Sequence, residues 1–319
     1  MIKFGVLIDE KPLNEYLNQL SGKKPFEISG FFQPKASPNG PPTQLFGRKK
    51  VNSFDELIEK SDAILFLGGC VSDSERVIRA TKRFKHIFLS EALNIEDESH
   101  FEMLKLAQEA NIMVFTGNPL LFNPAYISLS KEIDRPFHIE IRRKNRPEFK
   151  SDNNIIRELV KDIEFLLSVI KANPKRIVPG TLGEVKNIPT MINTRIEFDN
   201  GASANLIYNF LHDEQKHYIH IYQHAKHFYI DFINLKTKIY QLGDSTRSRG
   251  NIIVQPEPYV QTNISKQETK NQNNSEIMAF YNSLTGNLEP KLSFEESIMA
   301  LKLANKVMNR IMVAKDQFA

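Results

Sequence analysis

The chain of 319 residues contains a single cysteine, Cys70. One thiol excludes an internal disulfide and suits a reducing compartment. Cys70 reads as a small buried residue, because no histidine or cationic neighbour adjoins it in sequence to activate the thiol. Long apolar runs are also missing: nothing approaches the ~20 residues a membrane span needs, so no membrane partner is expected. The start, Met1-Ile2-Lys3-Phe4-Gly5-Val6-Leu7-Ile8, lacks the basic lead, apolar core and small-residue cleavage site of a signal peptide. The expected location is the cytoplasm. Excess charge is absent too. Lys+Arg number 42 against 38 Asp+Glu, a net +4, and the basic residues are scattered. Nucleic-acid binding calls for a clustered basic stripe, so no such partner is expected.

What remains is an ordinary globular composition, 41% hydrophobic and 25% charged, at a length that favours two domains. Short apolar runs at residues 2–8, 26–32, 63–67, 86–89 and 112–116 have the character of buried parallel strands. Helices are expected between them. Pro12 suits a first helical turn, Ser53-Phe54-Asp55-Glu56 and Ser72-Asp73-Ser74-Glu75 are capping boxes, and residues 97–110 form a further helix. The stretch 34–42, with four prolines, cannot be helical. This alternation predicts a doubly wound parallel sheet. Beyond Phe122-Asn123-Pro124 the pattern changes. Residues 153–170 predict an amphipathic helix with Ile155, Leu159, Ile163, Leu166 and Ile170 on one stripe. Strands are expected at 191–198, 202–210, 218–223, 228–232 and 238–241, the first two joined by the hairpin signal Asp199-Asn200-Gly201. A polar segment, 266–274, precedes helices at 275–284, with Gly286 as C-cap, and at 293–313, opened by the capping box Ser293-Phe294-Glu295-Glu296. The expected architecture is an α/β protein: a Rossmann-like doubly wound parallel sheet over residues 1–122, then an α+β domain over 123–319 on a largely antiparallel open sheet.

Particular segments carry a resemblance. Lys85-His86-Ile87-Phe88-Leu89-Ser90-Glu91-Ala92-Leu93-Asn94 reads without a gap against a strand-and-turn signature. Ser53 to Ile58 with Asp62-Ala63-Ile64-Leu65, Phe122-Asn123-Pro124-Ala125, Glu197-Phe198-Asp199-Asn200-Gly201-Ala202 and Met278-Ala279-Phe280 follow in matching order. Together they resemble the glucose–fructose oxidoreductase / inositol dehydrogenase (Gfo/Idh/MocA) family over nearly the whole chain. The resemblance implies an NAD(P)-linked dehydrogenase of a sugar or nucleotide sugar, with a homo-oligomer formed through the second domain's sheet at residues 202–232.

The family's working positions are largely replaced. Its Glu-Lys-Pro triplet, whose lysine stands between cofactor and sugar, corresponds to Ser90-Glu91-Ala92. Its phosphate-binding glycines correspond to Ile8, Glu10 and Leu13, beside Asp9, where side chains and negative charge oppose a pyrophosphate. Its ribose-binding acid corresponds to Gln33, and its Thr-Pro after the fourth strand to Gly68-Gly69, readable as a flexible turn or as a ligand loop. By resemblance, cofactor contacts therefore fall at Ile8, Asp9, Gln33, Gly68, Gly69 and Glu91. The catalytic Asp and His correspond to Arg157 and Lys161, with Glu164 keeping an acid, and helical geometry sets these three on one face. That face is open to two readings: a relocated site in which Lys161 is the base, paired with Glu91, or a solvated face of i,i+3 and i,i+4 charge pairs.

Five of the eight histidines, His212, His217, His220, His224 and His227, fall in one window. On extended strands His220 and His224 would share a face and His217 would not, and no cysteine joins at ligand spacing, so a polar sheet face or an oligomer surface is expected and no metal site. Two function classes stand: a divergent NAD(P)-linked oxidoreductase, or a catalytically silent relative that binds a sugar-like ligand or a protein partner.

Overall fold

A computed structural model describes residues 1–8, 14–34, 44–45, 48–68, 74–92, 97–144, 152–185, 188–242, 246–248, 251–253, 256–263 and 275–315. Asp9, Glu10, Pro12, Leu13, Gly69, Cys70, Ser72-Asp73, the proline-rich stretch from residue 35 and the segment 266–274 lie outside the described residues. The chain divides into two compact units, Met1–Pro119 with Asn271–Leu301, and Leu120–Lys270 with Lys302–Ala319.

The first unit runs β1 (Lys3–Ile8), α1 (Asn14–Leu20), β2 (Glu27–Phe32), β3 (Gln44–Leu45), β4 (Arg48–Lys49), α2 (Phe54–Glu59), β5 (Ala63–Leu67), α3 (Ser74–Lys82), β6 (His86–Leu89), α4 (Asp97–Glu109) and β7 (Val114–Thr116). Five strands pair in parallel in the order β2-β1-β5-β6-β7. The central strand β5, Ala-Ile-Leu-Phe-Leu, is buried at every residue, as a parallel strand covered on both faces must be. The Ser53 side chain accepts the Glu56 N–H and starts α2 where the sequence predicts it.

The second unit holds α5 (Pro124–Leu129), β8 (His138–Lys144), α6 (Asp152–Ile170), β9 (Pro174–Val185), β10 (Ile188–Phe198), β11 (Ser203–Asn209), β12 (Lys216–Gln223), β13 (Lys226–Asp231), β14 (Lys236–Leu242), β15 (Thr246–Ser248), β16 (Asn251–Ile253) and β17 (Pro256–Asn263). Its main sheet has eight strands in the order β17-β14-β13-β12-β8-β11-β10-β9. Only the β8–β11 neighbours run parallel. β8, β9 and β17 are additions to the expected strands. β8 is masked in sequence by its polar residues, and β9 by Pro174, Pro179, Gly180 and Gly183, which an edge strand tolerates. Along β11, and along β12 as far as Tyr222, burial alternates, so one face packs as core and the other does not. The hairpin at Asp199-Asn200-Gly201 is present, with Gly201 at φ +85°.

Two helices close the described chain: α7 (Glu276–Leu284) and α8 (Phe294–Lys315). Gly286 follows α7 at φ +72°, the left-handed conformation expected of its C-cap position. The α8 capping box forms as predicted: Ser293 Oγ accepts the Glu296 N–H at 3.1 Å, and Glu296 Oε2 accepts the Ser293 N–H at 2.7 Å. In the first unit Phe280 of α7 packs its ring against Phe4, Phe88 and Phe115 at 5.6–5.7 Å between centroids. A second cluster joins Leu57, Ile58, Val77 and Met103 from α2, α3 and α4 to Leu7, Phe66 and Leu89 of the sheet. The two clusters supply the two buried faces that the fully buried strands require.

Candidate functional site

In the first unit, β1 leads to β2 on one side, while β5 lies on the other. The chain therefore reverses its order of addition between β1 and β5. In open α/β sheets ligands bind in the crevice outside the carboxyl ends of the strands at such a switch point. Ile8, the last residue of β1, pairs there with Leu67 and is buried. Gly68 follows Leu67 at φ +89°, a conformation that favours glycine, and its N–H donates to Ser90 Oγ at 3.1 Å. Ser90 is itself held by its N–H to the Phe66 carbonyl at 3.0 Å. The Tyr16 hydroxyl donates to the Ser90 carbonyl at 3.4 Å. Ser90 thus serves as a buried strut between the ends of β5 and β6, and Glu91, next in the chain, is half-buried.

Gln33 follows β2 and is buried, and its Oε1 has no hydrogen-bond partner among the described residues. An orphaned buried acceptor at the place of the family's ribose acid suits a hydroxyl donor. Asp9 and Gly69 lie outside the described residues. One residue of this end of the sheet escaped the sequence reading: Glu276, 1% exposed, at the start of α7. A Cβ built on Gly117, which follows β7, would stand 2.7 Å from Glu276 Oε1 and 3.1 Å from the Tyr16 hydroxyl, so the glycine admits the carboxylate. In sequence Glu276 looks like any acid in a first helical turn.

In the second unit α6 carries Arg157, Lys161 and Glu164. Arg157 and Lys161 are half-buried, as a partly solvated charged face requires, whereas Glu164 is 1% exposed. Of the two readings of this face, the solvated one does not extend to Glu164, which lies on the packed flank of the helix.

Sequence reasoning also missed the neighbour, Asp162, which is fully buried. Arg143 of β8 grips it with two bonds, Nε to Oδ2 at 2.6 Å and Nη2 to Oδ1 at 2.8 Å. The Tyr208 hydroxyl donates to Oδ2 at 2.5 Å. His217 Nε2 stands 3.1 Å from Oδ1, close in distance though not aligned as a hydrogen bond. Burial pushes the Asp162 carboxyl upward, but the Arg143 guanidinium and His217 outweigh it and hold the group well below the usual carboxylate range. Burial, then the Asp162 charge, raises the Tyr208 phenol. Burial, then Arg143, lowers His217. The available signal was a charged residue three positions after Leu159, on the apolar stripe of an amphipathic helix. The cluster locks the rotation of α6 against the sheet and so decides which way Arg157 and Lys161 face.

The histidine window splits. His217 lies on the helix-covered face with Ile219 and Ile221, and His220 on the other. His224 occupies the turn between β12 and β13 and is exposed, so it does not share a strand face with His220. Among the described residues no three His, Cys, Asp or Glu side chains converge as metal ligands. No described helix is long and apolar enough to cross a membrane.

No family model and no curated protein sequence matches the chain. Solved structures do. UDP-N-acetylglucosamine 3-dehydrogenase GnnA from Acidithiobacillus ferrooxidans superposes with a TM-score of 0.77 at 18% identity, over 96% of each chain. The dehydrogenase MviM from Clostridium difficile does so at 0.76 and 16% identity, over 97% of this chain and 99% of its own. Biliverdin reductase from Synechocystis sp. PCC 6803, solved with biliverdin and NADP+, gives 0.69 at 13% identity, over 97% and 98%. Likeness at such identities is likeness of fold, and it agrees with the architecture expected from the sequence: the chain has the fold of these oxidoreductases, a Rossmann-like parallel sheet followed by a largely antiparallel one.

Proposed function

We propose that the protein is a divergent NAD(P)-linked oxidoreductase acting on a sugar or nucleotide sugar. The observation that carries this reading is the switch point between β1 and β5, with Gly68 in a left-handed turn and the Gln33 acceptor unpartnered beside the same sheet end. Fold likeness to a nucleotide-sugar dehydrogenase and to an NADP+-bound reductase supports it. When bound, the nicotinamide supplies a hydride acceptor. This chain's own part would be to hold a ribose hydroxyl at Gln33, to close the sheet end with Gly68, Ser90 and Glu91, and to take the sugar hydroxyl proton at Lys161. Glu164 would act as a packed, positioning acid. We place the protein in the cytoplasm and propose that it self-associates through the second unit's sheet, as the resemblance implies.

A second reading, a silent relative that binds a sugar-like ligand or a partner, is favoured by the Ser90-Glu91-Ala92 replacement of the family's catalytic triplet. Calorimetric titration of ligand-free protein with oxidised and reduced nicotinamide cofactors separates the two. Micromolar binding supports the dehydrogenase and leads to a sugar and nucleotide-sugar screen. No binding up to millimolar concentration retires it.

A further inference from the structure

The face of the eight-stranded sheet opposite Asp162 and Tyr208 carries a pair of imidazoles in direct contact. His220 Nδ1 of β12 lies 2.8 Å from His227 Nε2 of β13, with ring centroids 5.1 Å apart and planes 19° from parallel. The centroid separation is the nitrogen distance plus about 2.3 Å for the two ring radii, so the nitrogens point at each other in line, the alignment of a good hydrogen bond. Two uncharged rings satisfy it, one donating and one accepting. A first added proton puts a charge on the face; a second leaves two N–H groups opposed and breaks the bond.

Aromatic rings surround the pair. Tyr222 stacks on His227 at 4.4 Å and 2°, Tyr240 on its other side at 5.2 Å, and Tyr229 lies 5.2 Å from His220. These side chains are partly exposed in the single chain. Eight strands about 4.8 Å apart and some seven residues long present a face of roughly 800 Å², the area that each partner contributes to a standard stable interface. In the middle of that face, on β8, Arg142 pairs with Glu140 at 2.7 Å, and towards the β9 edge Arg195 of β10 pairs with Glu197 at 3.3 Å. A two-fold contact sets a patch against its own copy and tolerates no net charge at its centre, so self-pairing suits this face.

We infer that the open sheet face seats a second copy of the chain only while the His220–His227 pair is uncharged, so that acid releases the association. The inference rests on the self-association proposed above. The groups on the face around the pair are His138, Glu140 and Arg142 of β8, Tyr218 and Tyr222 of β12, Tyr229 and Asp231 of β13, and Lys238 and Tyr240 of β14; His138 is a third imidazole, 5.8 Å from Tyr222. Of these Glu140 favours an imidazolium and Arg142 opposes it. Burial lowers both rings already in the single chain, and His220 lowers His227 further. Covering the face with a second copy deepens that burial and brings up a second pair.

Sedimentation velocity of the full chain, at about pH 8 and about pH 5.5, tests this. The expected result is a dimer at the higher pH whose dissociation constant rises at least about tenfold at the lower, with a His220→Gln/His227→Gln variant dimeric at both. A wild type dimeric at both values overturns the gating and leaves self-association standing. A wild type monomeric at both overturns the two together. Equal acid dissociation of the variant assigns the effect to other groups and overturns the inference. If the variant is monomeric throughout, imidazole NMR of the wild type decides: protonation of His220 or His227 must coincide with dissociation, and dissociation that tracks neither overturns it.

Discussion

Arg143 and Asp162 form a two-point ion pair inside the second unit, Nε to Oδ2 at 2.6 Å and Nη2 to Oδ1 at 2.8 Å, with Tyr208 completing the coordination of the carboxylate. Removing one partner leaves the other charged and buried, which costs about 3–5 kcal/mol. Asp162→Ala should lower the free energy of unfolding by that amount, and more than Lys161→Ala. Equilibrium urea unfolding compares the variants; similar losses in both would deny the cluster its anchoring role.

Gly117 yields a second stability prediction. A methyl group there meets Glu276 Oε1 at 2.7 Å, a Phe88 ring carbon at 3.0 Å and the Tyr16 hydroxyl at 3.1 Å. Overpacking of this kind costs about 1–3 kcal/mol. Gly117→Ala should therefore lower the melting temperature, and Gly117→Ala combined with Glu276→Ala should lose less than the sum of the two changes.

Stability should depend on pH through the imidazoles. His86, His138, His217, His220 and His227 are all lowered from 6.5, with burial the largest cause in each. Below that value the unfolded chain binds more protons than the folded one, so stability is fully present above pH 6.5 and falls as acid is added. Asp162 stays ionised through this window, so the loss belongs to the histidines. Urea unfolding at a series of pH values should show it; stability that rises on acidification would contradict the burial of these rings.

Lys161→Ala should abolish turnover under the relocated-base reading, with a smaller loss of melting temperature than Asp162→Ala, because Lys161 is only partly buried and Asp162 fully. Lys161→Arg should not rescue, since a guanidinium stays protonated. Turnover assays with calorimetric melting provide both readouts, and unaltered turnover in Lys161→Ala would dispose of the role.

The sequence by itself determined the parallel half of the fold, because a strand buried on both faces must be apolar where it is buried, as β5 is throughout and β1 and β6 are beyond their first residues, Lys3 and His86. It also determined the caps at Ser53 and Ser293 and the turn at Gly201, where local hydrogen bonds and a positive φ act within four residues. Only the tertiary structure decided the rest. β8 offers His-Ile-Glu-Ile-Arg-Arg-Lys, and nothing local reveals that it runs between β12 and β11, parallel to one and antiparallel to the other. Asp162 reads as one more charge on a helix until Arg143, Tyr208 and His217 arrive from three different strands. Their attraction outweighs the cost of burial, and it depends on contacts 19–55 residues apart that helical spacing cannot show. The His220–His227 contact is of the same kind: seven residues apart in sequence, the two rings meet because β12 and β13 pair in one register and no other.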